Sequence, residues 1–282
     1  MKKILFVLVA AFAMATNGWA QYPDPFLTDE ERPDGTNWLP FPPSTTSGEF
    51  ANDFYYYQWG KEQRDEEWVA EWALWDEGVD LSRVYSEVLD IHLSKEETPE
   101  ILKLAEAATT DAHKANAKVK NYFKRKRPFA TFNEPSLKPE EDEEEAKTYS
   151  YPSGHSSRGW MYALTLATVA PECTEELMAR ARIYAIHRVV CGHHWKSDID
   201  ASLMLTAGVF AKLVVTEAYQ EQLKKAREEY QRIKAATKVN SPAASKVDNS
   251  AAIYDMQGRR LDAAPTTQGV YVQNGNKFVV EK

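Results

Sequence analysis

Three short clusters carry side chains suited to one kind of chemistry. Lys120 stands before Arg127-Pro128, Pro152-Ser153-Gly154-His155 forms a second cluster, and Arg188, His194 and Asp198 form a third. Taken singly, each has an ordinary reading: solvated cations, a turn, a surface histidine. Together they meet the needs of a phosphate ester, which carries about two negative charges on three strong acceptor oxygens. Lys120, Arg127 and Arg188 would balance that charge, and an arginine fork donates two parallel hydrogen bonds to it. Ser153 and Gly154 precede a helical stretch, so their backbone N–H groups, the serine hydroxyl and the positive helix end would hold an oxyanion. Gly154 lets the backbone come close. One histidine can then attack phosphorus, and Asp198, four residues beyond His194, can orient its ring. His155 can protonate the departing alkoxide. Three cations neutralise the charge in this scheme, so it calls for no metal and no cofactor.

The spacing is Lys, six residues, Arg-Pro; then Pro-Ser-Gly-His; then Arg, five residues, His, three residues, Asp. It resembles the type-2 phosphatidic acid phosphatase superfamily, which also includes the vanadium haloperoxidases. Within it the chain looks most like the class A bacterial nonspecific acid phosphatases. Leu39-Pro40-Phe41-Pro42-Pro43, Arg125 to Phe129, Ser150 to His155 and Arg188 to Asp200 carry the likeness, which spans roughly Trp38 to Tyr230. The resemblance implies an exported acid phosphatase that hydrolyses phosphomonoesters through a phosphohistidine intermediate, without metal. It implies His194 as nucleophile, Asp198 as its support, and His155 as proton donor and then activator of water. Lys120, Arg127, Ser153, Gly154 and Arg188 would bind phosphate. His193 does not keep the spacing to Arg188 and Asp198. One departure is His187, where the family usually has serine.

Two other activities share such a site. A vanadium-dependent haloperoxidase would hold vanadate in the same pocket, but the flanking segments resemble phosphatases. A lipid phosphate phosphatase normally brings several membrane spans. A surface phosphate-binding protein would not need an aligned nucleophile and acid.

The elements that must position these residues read as helices. Thr98-Pro99 is a helix start, and Ile101, Leu102, Ala105, Ala108, Ala112, Val119 and Phe123 mark one buried stripe to about residue 124. Further helices are expected from after Ser156 to about Val169, from Thr174 to Val190, and from near Ser197 past Val215, with Tyr219 to Ile233 continuing or following. Trp68, Trp72 and Trp75 share a helix face and are expected to pack into the core. Regular strand alternation is absent before the C-terminal stretch. The fold class is therefore all-α, a helical bundle with a short C-terminal β segment, and the resemblance implies that the bundle is of the acid phosphatase and vanadium haloperoxidase type.

Composition agrees. The chain has 282 residues, 43% of them hydrophobic and 12% aromatic, enough for a full core. A formal net charge of −8 and a single basic run, Lys124 to Arg127, imply no nucleic-acid partner. Two cysteines exclude a disulfide-rich scaffold. Cys173 and Cys191 flank a helical stretch that would hold them about 27 Å apart, so they are expected as separate thiols. Six consecutive acids, Glu140 to Glu145, read as a solvated, mobile loop.

The ends suggest export. Lys2 and Lys3, a short apolar run, and Gly18-Trp19-Ala20 make 1–20 a signal peptide. No later stretch reaches the roughly 20 apolar residues of a membrane span. Residues 21–236 would be the helical acid phosphatase domain, 237–252 a linker, and 253–282 a short β tail with a hairpin at Asn274-Gly275. Its Tyr254 to Arg259 and Gly269 to Val272 segments resemble the C-terminal sorting segments of exported proteins in Bacteroidota. The location is expected to be periplasmic or secreted, with the cell surface if the tail sorts it. The partner is a small phosphomonoester. Homo-oligomers are common in the family, though no residue pattern here establishes one.

Overall fold

Thr98 and Pro99 open the helix around which the others gather. A computed structural model describes residues 23–78, 80–240, 253–255, 260, 261, 265, 266, 269–273 and 276–280. The stretch 1–20 lies outside them, as do 241–252 and the residues Asn274 and Gly275.

The helices are α1 (Phe50–Gln63), α2 (Glu67–Gly78), α3 (Leu81–Leu89), α4 (Pro99–Phe123), α5 (Pro128–Phe132), α6 (Asp142–Glu145), α7 (Gly154–Val169), α8 (Thr174–Val190), α9 (Lys196–Leu213) and α10 (Glu217–Asn240). The fold is all-α. α4 packs on α7, α9 and α10, and α7 packs on α8 and α9. The expected stripe is the core side of α4: Ile101, Leu102, Ala105, Ala108, Ala112 and Val119 are buried. Small residues along it let α7 approach closely. α8 spans the expected residues. α7 begins three residues earlier than expected, because Ser153 and not Ser156 is its cap: the Ser153 hydroxyl accepts the Ser156 N–H at 3.2 Å. α10 runs to Asn240, four residues into the stretch read as linker. Short strands lie at Ile253–Asp255, Arg260–Leu261, Gly269–Gln273 and Asn276–Val280.

Two readings change. The face of α2 that is buried carries Val69, Ala73 and Asp76. Trp68 is 43% exposed, and Trp68 and Trp72 line an open cleft beside α8 instead of filling the core. The acidic run is not an irregular loop: Pro139–Glu141 forms a tight turn that leads into α6, with none of the six acids buried. Within the basic run the Arg125 and Arg127 side chains are buried, while Lys124 and Lys126 are exposed. Cys173 and Cys191 are free thiols at the two ends of α8. Among the described residues, no single helix is long and apolar enough to cross a membrane.

Candidate active site

Local chain geometry brings the three clusters together. Lys120 lies in the last turn of α4, which ends at Lys124 in a left-handed conformation. The chain then runs extended, because Pro128 keeps Arg127 out of the helical region (φ −71°, ψ 154°). In an extended segment alternate side chains share a side, and Arg125 and Arg127 both turn inward. Arg188 sits in the last turn of α8. Its carbonyl accepts the N–H groups of His193 and His194, at 3.2 and 3.3 Å, across a turn at Gly192. Gly192 has φ +81°, and a side chain there would meet Arg64 at 2.3 Å, so this turn needs glycine. Asp198 falls in the first turn of α9 and caps it, its Oδ2 accepting the Trp195 N–H at 2.9 Å. The Ser153 N–H donates to the Asp198 carbonyl at 3.1 Å, which ties the start of α7 to the start of α9.

His194 is the centre of the arrangement. Its Nδ1 lies 3.2 Å from Asp198 Oδ2, and its Nε2 lies 3.2 Å from Arg127 Nη1. Arg127 can only donate, so Nε2 is the acceptor and Nδ1 carries the proton toward Asp198. The same Nη1 donates to the His193 carbonyl at 3.0 Å. Nε of Arg127 donates to the Glu145 carbonyl at 3.0 Å, and Nη2 pairs with the Glu145 carboxylate at 2.5 Å. Lys120 Nζ donates to the Tyr149 carbonyl at 2.7 Å. A side chain on Gly154 would lie 3.7 Å from Lys120 Cε, so the glycine keeps open the space beside that cation. The Ser153 hydroxyl accepts from Ser156, which leaves its own proton free to donate. Its backbone N–H, expected in the oxyanion site, is instead spent on Asp198.

Arg188 is paired with Glu77, and its Nη2 donates to His193 Nδ1 at 3.0 Å. Its Nε is sealed from solvent and has no hydrogen-bond partner among the described residues. His155 stands apart. It follows Gly154 on α7, but its ring stacks on Tyr184 with centroids 4.2 Å apart. That stack follows from a close helix crossing: a side chain on Gly159, one turn later, would lie 2.4 Å from the Tyr184 ring. The Nε2 of His155 is buried and has no hydrogen-bond partner among the described residues. His187 faces away from the phosphate-binding candidates, its Nδ1 2.6 Å from the Asp76 carboxylate, which also pairs with Arg180.

Burial and positive charge set the proton affinities. Burial, and then Arg127 and Lys120, hold His194 well below the usual histidine range, so its ring is neutral and Nε2 keeps a lone pair. Burial pulls His155 down to about 3. Burial and then the Arg127 charge pull Lys120 down to about 7. Burial pushes the Asp198 carboxyl up, and Arg125 opposes that most strongly. The arrangement is a neutral imidazole with an aimed lone pair, beside three cations.

Residues 102–222 match the PAP2 superfamily, a span that contains Lys120 through Asp198. The chain is 33% identical over 239 residues to a non-specific acid phosphatase of Salmonella typhimurium, covering 81% of this chain and 93% of that protein. The chain belongs to the non-specific acid phosphatase family. It is 31% identical over 248 residues to a non-specific acid phosphatase of Providencia stuartii, covering 83% of this chain and all of that protein. An acid phosphatase of Zymomonas mobilis is 25% identical over 250 residues. The protein is a phosphoric monoester hydrolase.

Five residues of this acid phosphatase site escape a motif reading. Glu77, Glu145 and His193 contact the site arginines, and Asp53 and Arg125 contact Asp198 or its neighbour Ser197. Only Arg125 had a signal. A basic run just before proline is extended, and alternation alone puts Arg125 on the side of Arg127.

Proposed function

We propose that this acid phosphatase is exported and hydrolyses small phosphomonoesters through a phosphohistidine on His194, without a metal. The observation that carries this reading is the His194 ring held between Asp198 at Nδ1 and Arg127 at Nε2. An incoming phosphate takes the Arg127 N–H from Nε2 and frees the lone pair. It also competes with the Glu145 carboxylate for that guanidinium. Lys120, the free Nε of Arg188, the Ser153 hydroxyl and the Gly154 N–H hold the remaining oxygens. Nε2 then attacks phosphorus, the P–N bond forms, and the ester P–O bond breaks. His155 gives its proton to the leaving oxygen. The ring is neutral without substrate, and the phosphate's negative charge raises its proton affinity when it is needed. Its buried, unpartnered Nε2 supports this role. In the second half, His155 takes a proton from water, the water oxygen attacks phosphorus, and the P–N bond breaks. The neutral His194 and the three cations are the parts of a metal-free scheme. Export rests on the sequence pattern of 1–20.

Hydrolysis of p-nitrophenyl phosphate in excess EDTA tests the reading. Turnover is expected to persist in EDTA and to be blocked by vanadate, which mimics the trigonal-bipyramidal transition state. Loss of turnover in EDTA with recovery on adding a divalent cation would overturn the metal-free scheme.

Lys120 sets a pH limit. Its ammonium is present below about pH 7 and lost above it in the free enzyme. Phosphate binding therefore weakens as pH rises, and kcat/KM is expected to fall above about pH 7. A bound dianion holds the proton on Lys120, so the matching limb in kcat lies at higher pH. Arginine stays charged throughout. A Lys120→Arg variant should move the kcat/KM limb upward, and an unmoved limb would assign it to another group.

A further inference from the structure

We propose that Arg125 and Asp53 are positioning residues for phosphoryl transfer, acting through Asp198 on the His194 ring. The inference rests on the reading of His194 as nucleophile.

Asp198 is held at every lone pair that matters. Its Oδ2 meets His194 Nδ1 at 3.2 Å and the Trp195 N–H at 2.9 Å. Its Oδ1 accepts from Arg125 Nη1 at 2.7 Å. The same Nη1 donates to Ser197 Oγ at 2.7 Å, and Nη2 donates to Asp53 Oδ2 at 2.6 Å. Asp53, buried on α1, accepts the Ser197 N–H at 2.8 Å and the Ser197 hydroxyl at 2.6 Å. Arg125 also lies over the Trp195 ring, 5.2 Å from its centroid. One guanidinium therefore stands between two buried carboxylates, and Asp53 fixes the first turn of α9, on which Asp198 rides.

The chemical consequence concerns a tautomer. An ionised Asp198 accepts the Nδ1 proton of His194 and leaves Nε2 with its lone pair. A protonated Asp198 loses that preference, and the ring can carry its proton on Nε2, where it cannot attack. The charged or titratable groups around Asp198 are His194, Arg125, Asp53, Lys120, Arg127 and Tyr151. Of the cations, Arg125 alone hydrogen-bonds to the carboxylate among the described residues. Lys120 and Arg127 are placed to bind phosphate. Arg125 thus keeps Asp198 ionised, and Asp53 holds Arg125 in place.

The test compares Arg125→Met, Arg125→Lys and Asp53→Asn with the full-length enzyme. The readouts are kcat, KM, inhibition by inorganic phosphate, the acid limb of the pH–kcat profile, and acid-labile phosphate trapped on the protein. Arg125→Met is expected to lower kcat by about 100-fold or more, as loss of the correct tautomer does elsewhere. Inhibition by phosphate should change by less than about 3-fold, because the phosphate-binding cations remain. The acid limb should move up by about one pH unit, since Asp198 must ionise without its cation. Arg125→Lys should restore part of kcat and most of the limb. Asp53→Asn should show the same pattern at about 10-fold. If Arg125→Met fails to fold, Arg125→Lys and Asp53→Asn read the same limb. An unmoved limb, with kcat falling only as the folded fraction falls, would overturn the positioning role. Absence of phosphohistidine in the wild-type enzyme would instead overturn the nucleophile reading on which it rests.

Discussion

His194→Ala is expected to lower kcat by about 10⁴-fold or more and to leave a folded protein. The ring is neutral and buried, so its loss strands no charge. Asp198 keeps Arg125 and the Trp195 N–H, and Arg127 keeps Glu145, Thr148 and the His193 carbonyl. The cost in stability is that of a small cavity, about 1–3 kcal/mol. His193 is poorly placed to substitute. Its Nδ1 accepts from Arg188 at 3.0 Å and its Nε2 lies 3.0 Å from the Ser136 hydroxyl, so both nitrogens are committed. Turnover, circular dichroism and phosphate trapped after an acid quench would be measured together. A variant with full activity, or one still labelled on histidine, would remove His194 from the centre of the reaction. Rescue by added imidazole, which fits the vacated space, would confirm that a nitrogen lone pair is the missing part.

What the chain made legible was whatever depends on local rules. α8 ends where the helical pattern of Thr174 to Val190 ends, and the apolar stripe of α4 is the stripe that is buried. That Arg127, His194, Asp198 and Ser153 come within hydrogen-bond reach of one another followed the motif spacing, because fixed spacing stands for fixed geometry. The hidden parts depend on contacts between distant segments. The tryptophans of α2 have a clear helical period, yet only Trp75 packs against the main core, and the neighbouring positions Val69 and Ala73 are buried where Trp68 and Trp72 line a cleft. Periodicity gives a face, and only the tertiary arrangement says which part of it is covered. Six acids in a row have no local reason to fold. They are held by partners elsewhere, Glu145 by the Arg127 guanidinium and Asp142 by the Ser136 N–H. His187 departs from the family pattern and finds Asp76 on another helix. No spacing rule links Asp53 to Ser197, which are 144 residues apart.

Arg188→Ala should cost both activity and stability, and the two losses can be separated. Arg188 is buried and touches Glu77 and His193, while its Nε has no hydrogen-bond partner among the described residues and, in the proposed mechanism, donates to substrate. Removing one preorganised charged donor from a phosphoryl-transfer site is expected to lower kcat/KM by about 10²–10³-fold. The same change leaves the Glu77 carboxylate, with a side chain 11% exposed, without its cation. Breaking a buried pair in this way costs about 3–5 kcal/mol. A second change, Glu77→Gln, removes the stranded charge. The double variant should recover most of the lost Tm and none of the lost kcat/KM. Thermal unfolding and steady-state kinetics on the same preparations would decide it. If kcat/KM returned together with Tm, Arg188 would be a structural partner of Glu77, and the charge on the transferring phosphoryl group would rest on Lys120 and Arg127. If Tm returned alone, the guanidinium serves the substrate, and Glu77 holds it in place.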